Sequence, residues 1–91
     1  MVDIDFKPRG VCARNIHVEL DDAGETIENV SFEGGCNGNL KAISKLIAGH
    51  KVDEIVPVLR GNTCGPRNTS CADQLTYALD AAVEAVRSAR A

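Results

Sequence analysis

Four cysteines stand out in a chain of 91 residues: Cys12, Cys36, Cys64 and Cys71. A thiolate can ligate zinc or an iron–sulfur cluster, or it can attack a disulfide. The spacing is not that of a zinc finger. Cys12 and Cys36 are 24 positions apart, Cys64 and Cys71 are seven apart, and no CxxC occurs. Three readings stay open: a shared metal site, a Cys64–Cys71 redox pair, and small buried apolar residues.

The elements around the cysteines favour a cluster. Asp3 to Lys7 reads as a first strand, broken by Pro8, Arg9 and Gly10. Cys12 to Leu20 alternates, with Cys12, Ile16, Val18 and Leu20 on one face and Ala13, Asn15, His17 and Glu19 on the other. Residues 21–24 make a turn. Ile27 to Phe32 is a third strand, in which Ile27 is out of phase with Val30 and Phe32 and predicts a bulge near Glu28 and Asn29.

A helix is expected from about Asn37, with Leu40, Ile43, Leu46 and Ile47 as its stripe and Gly49 as its stop. Val52, Ile55, Val56 and Leu59 form a second stripe, in which Pro57 fits only a first turn. The last helix begins at Thr69 or Ser70, with Ser70 and Asp73 resembling a capping box. Its stripe is Leu75, Leu79, Ala82, Val83, Val86 and Ala89. The fold class is therefore α+β, a three-stranded antiparallel meander followed by three helices in one domain, 1–91. Each cysteine falls at an element boundary. Cys36 and Cys71 fall at helix starts, where unpaired backbone N–H groups stabilise a negative sulfur.

Other polar features carry less. His17 lies on a strand's solvent face and His50 follows a helix-ending glycine, so both are expected to be solvated. The run Gly34-Gly35-Cys36-Asn37-Gly38-Asn39 lacks the Lys-Ser/Thr of a P-loop, so its glycines read as tight turning and close packing. Arg67 reads as a solvated arginine.

Composition limits the function. Ten basic against 13 acidic side chains give a net charge of −3, which argues against a nucleic-acid footprint. Three aromatic residues (Phe6, Phe32 and Tyr77) leave an aliphatic core and no stacking platform. No apolar run reaches a membrane span. The opening MVDIDFKPRG has acidic residues where an export signal is apolar, so a reducing cytoplasm is expected.

Three stretches carry a resemblance: Phe6-Lys7-Pro8-Arg9-Gly10-Val11-Cys12, Gly34-Gly35-Cys36-Asn37-Gly38-Asn39-Leu40, and Thr69-Ser70-Cys71-Ala72-Asp73-Gln74-Leu75. Together they resemble the TSCPD domain family over nearly the whole chain. The family's last motif usually reads Thr-Ser-Cys-Pro-Asp, and here Ala72 stands in place of the proline. Such domains occur alone and near the C-terminus of some ribonucleotide reductases. The resemblance therefore implies an association with a ribonucleotide reductase large chain. The radical-generating barrel does not fit in 91 residues, so reductase activity is not expected of this chain alone.

The layout also resembles the U-type scaffold proteins of iron–sulfur assembly, whose three cluster cysteines correspond to Cys12, Cys36 and Cys71. Arg14 replaces the scaffold's Asp, Ser70 replaces its His, and its Pro-Pro-Val motif is absent. These departures bear on cluster transfer more than on metal binding, and Cys64 could replace a lost ligand. The leading reading is an accessory domain that binds zinc or an iron–sulfur cluster through Cys12, Cys36, Cys64 and Cys71. The alternative is a dithiol module in which Cys64 and Cys71 pass electrons to a ribonucleoside-diphosphate reductase.

Overall fold

The computed structural model describes residues 2–35, 37–62 and 69–90, without the side chains of Asn37, Ala89 and Arg90. Three strands are followed by three helices: β1 (Val2–Phe6), β2 (Ala13–Leu20), β3 (Ile27–Gly34), α1 (Asn37–Ile47), α2 (Val52–Leu59) and α3 (Cys71–Arg90). The strands form one antiparallel sheet in the order β1-β2-β3, as the meander predicts.

The expected bulge is present. Glu19 pairs with Asn29, but Leu20 pairs with Ile27, so Glu28 is the extra residue and Ile27 returns to the core face. A second irregularity was not legible. Ala13 pairs with Gly34 and Asn15 with Glu33, which leaves Arg14 without an opposite residue. An extra residue reverses the side-chain alternation on its N-terminal side. Ala13 is therefore buried and Cys12 exposed, the reverse of the expected faces.

The core is aliphatic. Ile16, Val18, Leu20 and Ile27 from the sheet pack with Leu75, Ala78, Leu79 and Ala82 of α3. At about 1.5 Å rise per residue, the 20 residues of α3 cover most of the molecule's 40 Å long axis. Leu40 and Ile47 bury the inner side of α1. Leu46 does not join them and is 74 % exposed, because it lies to one side of the arc through Leu40, Ile43 and Ile47.

Pro57 also departs from expectation. It sits in the second turn of α2, exposed, where its missing N–H costs one bond of a two-turn helix. The α1–α2 junction is sewn to the β2–β3 turn by backbone hydrogen bonds, including Ile27 N–H to the His50 carbonyl at 2.9 Å and Val52 N–H to the Glu25 carbonyl at 2.9 Å. Among the described residues no helix is long and apolar enough to cross a membrane.

Candidate functional site

Two regions concentrate chemistry-bearing side chains. The first is the end of the domain where α3 begins. Ser70 caps that helix: its Oγ accepts the Asp73 N–H at 3.1 Å and donates to the Asn62 carbonyl at 2.5 Å. Asp73 does not complete the reciprocal box. Its carboxylate accepts the Gly61 N–H at 2.7 Å and the Thr69 hydroxyl at 2.5 Å. The Thr69 hydroxyl first, and the Gly61 N–H second, hold Asp73 below the ordinary aspartate value, with the charge of Arg60 adding to them. These bonds tie Gly61 and Asn62, just after α2, to the helix start.

The other chain segments that flank cysteines come to the same end. The Arg9 N–H donates to Gln74 Oε1 at 3.1 Å. A Cβ on Gly10 would lie 3.4 Å from Thr69 Cγ2. A Cβ on Gly34 would lie 3.4 Å from the Cys12 carbonyl oxygen, and one on Gly35 would meet Ala13 N at 3.2 Å and Leu40 Cδ1 at 3.0 Å. Both glycines have positive φ, +80° and +79°, so tight turning and close packing explain them.

Of the four candidate ligands, Cys12 is exposed just before β2, and Cys71 is half-buried as the first residue of α3. Cys36 and Cys64 lie outside the described residues, as does Arg67. What the described residues do is bring together the backbone on either side of these positions.

The second region is the outer face of the sheet. The register sets Asp3 opposite Glu19 and Asp5 opposite His17. His17 Nδ1 lies 3.0 Å from Asp5 Oδ1, while its Nε2 lies 3.5 Å from Glu19 Oε1 and 4.0 Å from Asp3 Oδ2. Asn15 Nδ2 donates to the same Asp5 oxygen at 2.9 Å. Asn15 first, then His17, hold Asp5 below its ordinary value, and the Asp5 hydrogen bond is the main cause that raises His17. His17 is thus paired, where a solvated side chain was expected. Asp3, His17 and Glu19 each offer a metal-ligating atom, and these atoms lie within 4.8 Å of one another. His50 is half exposed and 4.0 Å from Glu54, within α2's first turn.

A family model for the TSCPD domain matches residues 2–83. The chain belongs to the TSCPD domain family. No curated protein and no solved structure matches it with significance. The match spans β1 through most of α3, so this TSCPD domain includes both regions described above.

Proposed function

We propose that this TSCPD domain is a non-enzymatic accessory module that binds zinc or an iron–sulfur cluster through Cys12, Cys36, Cys71 and Cys64. The observation that supports it is the meeting of segments. The residues just before β2 touch both the end of β3 and the start of α3, and each of these segments directly adjoins or contains a candidate cysteine. The two described cysteines suit the role, since one thiol is exposed and the other half-buried at that end. A bound metal would supply folding free energy there and tie the β2 entry to α3.

The partner in this reading is a ribonucleotide reductase large chain, on the strength of the family in which such domains occur. Co-purification with that chain, or altered deoxynucleotide formation when the domain is added, is the expected result. No association and no effect would remove the partner.

Metal analysis of protein purified without oxygen tests the site itself. Wild type should carry zinc or iron with sulfide. Cys71→Ser should lose metal and melting temperature together, because a ligand bound to the native state stabilises it. Full metal stoichiometry in both Cys71→Ser and Cys71→Ala would overturn Cys71 as a ligand. Wild type without metal, but with a dithiol that cycles between reduced and oxidised forms, would favour the Cys64–Cys71 redox module.

A further inference from the structure

The start of α3 carries a chain of hydrogen bonds whose direction is fixed at both ends. The Arg9 backbone N–H can only donate, so the atom that accepts it at 3.1 Å is the oxygen of the Gln74 amide, Oε1. Gln74 Nε2 is then the donor to Thr69 Oγ1, also at 3.1 Å. The Thr69 hydrogen goes on to Asp73, a carboxylate that only accepts. Gln74 thus joins two parts of the chain that lie 65 positions apart.

Its place on the helix gives that bond a consequence. Gln74 and Cys71 are three residues apart in α3, and residues so spaced share one helix face. Both are half-buried. Arg9 therefore meets α3 on the face that bears Cys71, and Cys12 follows Arg9 by three positions. Gly10 turns the chain between them with a φ of +71°, and a Cβ there would lie 3.4 Å from Thr69 Cγ2. On the other side the Cys12 carbonyl oxygen would lie 3.4 Å from a Cβ on Gly34. Residues 9–12 are held between α3 and the end of β3, and Gln74 is the hold on the α3 side.

We propose that Gln74 is a positioning residue for the cysteine site, bringing Cys12 to the helix face that carries Cys71. This role rests on the metal site proposed above and adds how two of its ligands are set together before any metal arrives. Gln74 itself touches no metal. It fixes the backbone from which one ligand projects, as the outer partners of a metal site do. Ligands held in place beforehand leave less ordering to the binding step, so the metal binds more tightly. A glutamine that merely packed the helix start would instead stabilise the chain equally with and without metal.

Co²⁺ titration of the reduced, metal-free full chain, read by thiolate-to-cobalt charge-transfer bands, tests this role. Wild type should show the bands. Gln74→Leu should weaken Co²⁺ binding by about tenfold or more, with a metal-free melting temperature close to that of wild type. In a Cys12→Ser chain, Gln74→Leu should weaken binding no further, since the ligand that Gln74 places is gone. Where Cys12→Ser takes up too little Co²⁺ for that comparison, the metal-free melting temperature decides. Circular dichroism checks each fold, and if Gln74→Leu fails to fold, Gln74→Met, equally unable to make either bond, takes its place. Wild-type affinity in Gln74→Leu would overturn the role of Gln74 and leave the cysteine site standing. So would a loss that repeats in full in the Cys12→Ser chain, or a metal-free melting temperature lowered as much as the metal-bound one. A metal-free wild type with no melting transition would overturn it too, because nothing is then set in advance. Wild type without thiolate bands would overturn the cysteine site, and the role of Gln74 with it.

Discussion

Asp73 joins three pieces of chain through one carboxylate. It accepts from Gly61 after α2, from Thr69 before α3, and its own N–H completes the Ser70 cap. Because it is 5 % exposed, removing the acceptor leaves donors in a place that water reaches poorly. Asp73→Ala should therefore cost about 1–3 kcal/mol, read by urea denaturation. Asp73→Asn keeps one oxygen and should cost less. The sequence placed Ser70 and Asp73 at a helix start by their spacing, a local signal. It could not show that the Asp73 carboxylate would turn to Gly61 and Thr69, because the Gly61 contact depends on where α2 ends in space. The same limit applied to His17. Alternation along β2 gave its face, but its partners Asp3 and Asp5 arrive through the β1–β2 register, which no single strand encodes.

Elements are held as much by their turns as by their faces. Asp21 accepts the backbone N–H groups of Glu25 and Thr26 at 2.9 and 3.2 Å and so fixes the β2–β3 turn. These two bonds, that of Glu25 first, keep its carboxyl below the ordinary 3.8. The sign follows from linkage: with a lowered native value, the stabilisation is complete above the unfolded value and disappears as pH falls through the native one. Wild type should thus lose stability on acidification below 3.8 more steeply than Asp21→Asn, measured by melting temperature against pH. Gly24 in the same turn has φ +73°, and a Cβ there would meet buried Val86 at 3.1 Å. Gly24→Ala combines backbone strain with overpacking and should cost about 1–3 kcal/mol. Gly49, at φ +87° with nothing within 4 Å of an added Cβ, meets strain alone. Gly49→Ala should cost less than Gly24→Ala in the same denaturation assay. In the sequence Gly24 reads as part of a turn and Gly49 as a helix stop, but only tertiary packing separates their costs.

The whole molecule was legible where apolar period and turn residues agreed. Three strands, three helices and the bulge at Glu28 follow from such agreement. The bulge at Arg14 had no such signal, since Ala13 and Cys12 suit either face, and the expected placing of Cys12 failed there. That outer face bears on how copies of the chain meet. In the order β1-β2-β3, β1 is an outer strand whose far side pairs with no other strand among the described residues, while α1 packs along β3. Open strand edges recruit other strands. Were two β1 strands to pair, Asp3 and Asp5 of both copies would crowd one surface, and like charges side by side oppose such pairing. The acidic side chains thus guard the chain against edge-to-edge self-association. Asp3→Val with Asp5→Val should raise the scattering mass at high protein concentration, while wild type shows no such rise.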